Sequence, residues 1–165
     1  MKKLLRIALY VFFPKLKKGA SVLMYHSVDT NKAFFNVLPK DFEKQMKYLQ
    51  KSGLRAIPLS ELFQIFRDGG DMSSCVSITF DDGYESVIRE AMPILKKYGM
   101  RASIFVSSGL LGTNYTTSDG ANLQIFSLDK FKEEDGFRVF ELLSHTCNHH
   151  ELPSLPRERI EQELA

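Results

Sequence analysis

The 165-residue chain is 44% hydrophobic and 25% charged, ordinary proportions for a soluble globular protein, and it is long enough for one domain with a real core but short for two. Its formal charge of +2 is spread unevenly. Lys2, Lys3, Arg6, Lys15, Lys17 and Lys18 give the first 18 residues six positive charges and no acid, leaving 16 basic against 20 acidic residues, a balance that argues against a general nucleic-acid surface.

That basic stretch, MKKLLRIALYVFFPKLKKG, begins as a secretion signal does, with positive residues and then an apolar run. Arg6 interrupts the run, Pro14 ends it, and lysines follow where a small-residue cleavage site would stand. It is too short to span a bilayer. Three readings stay open: a segment lying on a membrane surface, a non-standard signal or anchor, and a plain helix packed on the domain. Residues 1–18 are therefore set apart from a domain over 19–165. No other segment is apolar enough to cross a membrane. Cys75 and Cys147 make no disulfide framework, and the plainer reading is two thiols.

From Gly19 the pattern alternates strand and helix. SVLMYHSV (residues 21–28) reads as a short buried strand with polar residues at its end. The apolar spacing of Phe42, Met46 and Leu49 predicts a helix that Gly53 closes. RAIPL is a brief strand, and SELFQIFRDGG a helix opened by Ser60 and closed by glycine. CVSITF is a strong buried strand. YESVIREAMPILKKYG is a helix in which Pro93 predicts a kink or a late start. RASIFVSS is a further strand, and residues 109–125, rich in Gly, Thr, Asn and Ser, read as a long loop. A short helix (SLDKFKEED), a strand (FRVFELLS), a loop (HTCNHHELPSLP) and a last helix (PRERIEQELA) follow. That helix stops in mid-pattern, which suggests a fragment of a longer protein.

Such alternation implies a parallel sheet with helices packed outside it. In such folds the C-terminal ends of strands carry the active-site groups. Tyr25 and His26, Asp81 and Asp82, and His145 all stand at predicted strand ends.

His145 and His149 lie four residues apart, a common spacing for two imidazoles on one metal, with a polar loop as the plainer reading. A carboxylate from another strand end would complete a set of two histidines and one aspartate with a position left open for water. The adjacent Asp81 and Asp82 offer two carboxylates, one to bind the cation and one to take a proton from water. A cation would offset the repulsion between them. Alternatively, DDG is a strand-to-helix turn in which one aspartate caps the helix from Tyr84 and Gly83 supplies the bend.

TFDDG (residues 79–83) and HTCNH (residues 145–149) resemble the first two motifs of the polysaccharide deacetylases, the NodB-like family. VLMYHSV, DFEKQMKYLQKSG and IPLSEL are similar to the poly-N-acetylglucosamine deacetylase branch, so the likeness runs from about Ser21 to the end. The resemblance implies an α/β fold, a (β/α) barrel of about seven strands, truncated here after the first half to two-thirds. It implies metal-dependent hydrolysis of N-acetyl groups on an amino-sugar glycan or lipid-linked sugar. Asp81 corresponds to the general base, and Asp82, His145 and His149 to ligands of a divalent metal: zinc, with cobalt or nickel as alternatives. Thr146 holds the Ser/Thr position that fixes the loop; Tyr25, His26 and His150 are further site-lining candidates.

The family's glycine ahead of the metal histidines is absent, His150 stands where proline is frequent and reads as a solvated loop residue, and Cys147 is badly placed to be a third ligand. The later motifs, which supply an arginine, oxyanion donors and a histidine acid, are missing. Two alternatives follow: a truncated, non-catalytic barrel that binds metal or glycan, and an O-acetyl esterase acting on a substrate such as xylan. A bacterial cell-envelope setting is expected, on the cytoplasmic face or after export, with peripheral membrane contact through residues 1–18.

Overall fold

The computed structural model describes residues 19–164, so the basic segment 1–18 and its membrane reading lie outside the described residues. Strand β1 (Ser21–Tyr25) ends one residue before His26. The next two residues form β2 (Ser27–Val28), which pairs in parallel with β3 (Asn36–Val37) in a separate ladder. The expected single strand over 21–28 is therefore two, because the buried Ser27 hydroxyl bonds to Asn36 and Ser86 and draws the chain off the main sheet. Helix α1 (Pro39–Lys51) starts with proline, whose missing N–H costs nothing in a first turn, and buries Phe42, Met46 and Leu49.

After β4 (Arg55–Ala56), helix α2 (Leu59–Arg67) begins one residue earlier than expected, and Ser60 does not cap it. The first-turn N–H groups are instead satisfied from the sheet: Leu59 N donates to Ser103 Oγ at 2.8 Å and Ser60 N to Glu141 Oε1 at 3.0 Å. Every residue of β5 (Cys75–Phe80) is buried. The disturbance expected at Pro93 takes the form of a π-helical turn over Val87–Ala91 leading into α3 (Met92–Lys97). Proline withholds one backbone donor, and a widened turn absorbs the mismatch.

Strand β6 (Ala102–Val106) follows. The expected long loop over 109–125 is corrected: it contains an antiparallel hairpin of β7 (Asn114–Thr116) and β8 (Asn122–Gln124). Helix α4 (Leu128–Glu133) is capped by Ser127, whose Oγ accepts from Lys130 N at 3.2 Å. Strand β9 (Phe140–Ser144) and helix α5 (Arg157–Leu164) complete the order.

Strands β1, β5, β6 and β9 lie side by side, all parallel, and β4 joins β5 as a fifth. Val76, Ile78 and Phe80 point to one face, where they meet Phe42 and Met46 of α1 and Met92 and Leu95 of α3. Cys75, Ser77 and Thr79 point to the other, where Cys75 packs with Ile57 and Leu62. Helix α2 thus lies on the sheet face opposite α1 and α3. Both cysteines are free. No described helix is long and apolar enough to cross a membrane.

Phe80 is completely buried and touches the rings of Tyr25, Phe42 and Phe140. Phe80→Ala should therefore destabilise the fold by about 3–5 kcal/mol, read as a lowered urea midpoint with little change in slope.

Candidate metal centre

Parallel pairing delivers three strand ends to one edge of the sheet. Asp81 N donates to Tyr25 O and His145 N to Val106 O, each at 2.9 Å, so the ladder runs one residue beyond the strands and carries both motifs in register. Ser107, buried at the end of β6, donates to His145 O at 3.0 Å and ties the two loops together.

The DDG turn needs positive φ at two successive residues, Asp82 at +70° and Gly83 at +80°. Aspartate tolerates this region better than most residues. Gly83 has a second reason to lack a side chain: a Cβ there would lie 3.2 Å from Val106 Cγ1 and 3.3 Å from Phe126 Cε1. This turn aims Asp82 at the two histidines. Its Oδ1 lies 3.2 Å from His149 Nε2 and 3.5 Å from His145 Nε2, and one ligand atom from each residue falls within 4.8 Å of the others. Asp82 Oδ1 is buried and receives no hydrogen bond of good geometry, although both imidazoles stand close to it. An oxygen so placed is costly unless a positive group faces it. One carboxylate and two imidazole nitrogens converging on a partly open space are a donor set that suits a divalent cation such as zinc.

The two aspartates differ electrostatically. Burial raises Asp81 above the usual carboxylate range, with the charges of His145 and His26 pulling the other way. For Asp82 burial also works upward, but the His149 imidazole and the Tyr84 hydroxyl outweigh it and hold the carboxyl below that range. In return Asp82 raises His149. The Tyr84 phenol is pushed up by burial first and by the Asp82 charge second.

The other predicted residues divide. His26 Nε2 stands 4.0 Å from Asp81 Oδ2 and its ring lies on Phe35, with centroids 5.1 Å apart, so it lines the site. Tyr25 does not join the group: its ring packs on Phe42 and Phe80 and its hydroxyl donates to Gln45 Oε1 at 2.6 Å. Thr146, at φ +65°, accepts from His149 N at 3.1 Å through Oγ1. His150 is an exposed loop residue, as expected, but it has a partner: its Nδ1 is 2.7 Å from Glu163 Oε1. Among the described residues, neither His150 nor Cys147 belongs to the ligand cluster.

Three contributors went unnoticed in the sequence. Tyr115, on the hairpin, sets its hydroxyl 3.3 Å from His149 Nδ1, so the ring nitrogen turned away from Asp82 also has a partner. Donor and acceptor can exchange across that contact, so it accommodates the tautomer with Nε2 free to bind a cation. Tyr84 stands beside Asp82, and Glu163 reaches in from α5. Only the position of Tyr84, just after DDG, was a usable signal.

The model of the polysaccharide deacetylase family matches residues 68–165. YxkH of Bacillus subtilis (strain 168) is 32% identical over 145 residues, covering 87% of this chain and 48% of that protein. The poly-beta-1,6-N-acetyl-D-glucosamine N-deacetylase of Staphylococcus aureus (strain MRSA252) is 30% identical over 118 residues, 72% of this chain and 39% of that one. Two solved structures share the fold. IcaB from Ammonifex degensii aligns with a TM-score of 0.70 at 26% identity, covering 86% of this chain and 57% of that chain. The Streptococcus pyogenes deacetylase PplD, in complex with acetate, aligns at 0.72 and 25% identity, covering 87% and 63%. The chain spans about half or less of the length of these two curated relatives.

Bonds from the Asn148 side chain, the Asn148 backbone N–H and His150 hold Glu163 down to about 2, against an ordinary 4.5. A carboxyl depressed on folding stabilises the protein above its unfolded pKa, and that contribution drains away as pH falls toward the folded value. The melting-temperature gap between the protein and Glu163→Gln should be widest above pH 4.5 and close as pH falls toward 2.

Proposed function

The chain belongs to the polysaccharide deacetylase family, and from that premise we propose that it hydrolyses N-acetyl groups on an amino-sugar glycan with the help of a divalent cation. The observation that carries this reading is the buried, unbonded Oδ1 of Asp82 facing His145 and His149, with a second carboxylate, Asp81, next to it in the chain. The name of the Staphylococcus aureus relative favours an N-acetylated polymer of glucosamine over an O-acetylated one. A bacterial cell-envelope setting, on the cytoplasmic face or after export, suits such a substrate.

Asp82, His145 and His149 would hold the cation, with zinc favoured by the nitrogen and oxygen donors and cobalt or nickel as substitutes. When bound, the cation supplies a Lewis acid for the acetamide carbonyl and for the attacking water. Asp81 takes the proton from that water; its raised pKa strengthens it as a base near neutrality. Asp82 stays ionised beside it. His26, across from Asp81 and steadied by Phe35, lines the site beside that base, and the proton taken from water is the one the leaving amine requires. Acetate and a free amine result, so the glycan gains positive charge.

Calorimetric zinc titration and acetate release from N-acetylglucosamine oligomers test these roles on the protein itself. His149→Ala and Asp82→Ala should each weaken zinc binding by about 100-fold or more, as losing a direct ligand should exceed the about 10–100-fold typical of outer contacts. Asp81→Asn should keep zinc and lower acetate release by about 10²–10⁴-fold, and His26→Ala should act in the same direction. Zinc binding that survives loss of both His145 and His149 overturns the ligand set. Acetate released from acetylated xylan but not from the amino-sugar oligomers overturns the substrate class, and no release from either overturns the hydrolytic role of this polypeptide.

A further inference from the structure

Glu163 is an acid with a side chain only 2% exposed, far along the chain from the DDG turn and unused by the chemistry above. Its carboxylate accepts from Asn148 N at 2.7 Å through Oε2 and from Asn148 Nδ2 at 2.9 Å through Oε1. The same Oε1 lies 2.7 Å from His150 Nδ1. Its backbone carbonyl, near the end of α5, accepts from Cys147 N at 2.9 Å. One residue thus grips the loop on both sides of His149.

The loop needs that grip. Thr146 and His149 both sit at positive φ, +65° and +58°, a conformation costly for residues with a Cβ and stable only when the surroundings over-determine it. Three successive N–H groups are spoken for: those of Cys147 and Asn148 by Glu163, that of His149 by Thr146 Oγ1. The bends at Thr146 and His149 are what bring the two imidazoles to the same oxygen of Asp82.

We propose that Glu163 is a positioning residue for the metal site, clamping the 146–150 loop so that His145 and His149 meet a cation already in their bound arrangement. The inference rests on the reading of Asp82, His145 and His149 as ligands. His150 is part of the clamp, which accounts for a histidine beside a ligand that binds nothing itself. An outer contact of this kind typically governs about 10–100-fold in metal affinity.

Titration with Co²⁺, followed by visible absorption and calorimetry, tests it. Glu163→Ala and the near-isosteric Glu163→Gln should each weaken Co²⁺ binding by about 10–100-fold and shift or broaden the visible bands, whereas Glu163→Asp should recover part of the affinity. His150→Ala, which leaves the backbone contacts, should have a smaller effect than Glu163→Gln. A purely structural Glu163 would lower the melting temperature of the metal-free protein and leave affinity and spectrum at wild-type values in Glu163→Gln. That result overturns the proposal. His149→Ala serves as the control: if it too binds Co²⁺ as the parent does, the ligand reading falls and takes this inference with it. If His149→Ala loses binding while the Glu163 variants do not, only the clamp fails.

Discussion

Asp82 Oδ1 is shut off from solvent, receives no hydrogen bond, and faces two imidazole nitrogens at 3.2 and 3.5 Å. A buried carboxylate oxygen without a hydrogen bond is among the costlier groups a fold can contain, and its neighbour Asp81 adds a like charge. The surrounding features make sense as ways to hold that oxygen in place despite the cost. The turn that carries it runs through two residues of positive φ, and the histidine loop facing it runs through two more. Four left-handed residues, three of them not glycine, converge on one space. Such strain persists where function requires a geometry that a relaxed turn would not give.

The sheet supplies the precision. Because β1, β5, β6 and β9 are parallel, their C-terminal ends share one edge, and the hydrogen bonds from Asp81 N and His145 N extend that edge by one residue. β6 gives no ligand, yet it sits between β5 and β9 and carries Ser107, which fastens the histidine loop through His145 O. The distance between the DDG and HTCNH loops is therefore set by strand spacing, about 5 Å per strand, and not by the loops. The weakly patterned hairpin β7–β8 does a different task, bringing the Tyr115 hydroxyl to the far side of His149.

The strands and the motif residues were legible in the sequence because they obey local rules: apolar β-branched runs for β5 and β6, helical spacing for α1, and polar groups at strand ends. Other features depend on contacts distant in the chain. Tyr25 and His26 both look like strand-end site residues, yet adjacent residues on a strand face opposite sides. The pairing of Tyr25 with Phe80 turns it into the core and leaves His26 at the site. The hairpin strands NYT and NLQ have no alternation strong enough to register as β structure. Glu163 lies in RERIEQEL, which reads as a solvated, charged helix; its buried carboxylate is instead met by the histidine loop. Ser60 offered a plausible cap, but Ser103 and Glu141, from strands far along the chain, reach that helix end.

What separates Asp81 from Asp82 is environment, since sequence makes them twins. Both are desolvated, which alone would raise both. Asp82 has the His149 imidazole and the Tyr84 phenol close by, and they reverse the effect; Asp81 feels His145, His26 and His149 only through their charge, and they do not. The positive φ at Asp82 produces this difference, because it swings the second carboxylate toward the histidine loop while Asp81, still bonded to β1 through its N–H, remains at the sheet edge. A pair of acids pushed apart in this way is suited to two tasks, one group held ionised and one that takes up a proton more readily than an ordinary carboxylate. Any change that returned Asp82 to an ordinary φ would move its carboxylate from both histidines together, so the backbone of the turn is as much part of the site as the side chains it presents.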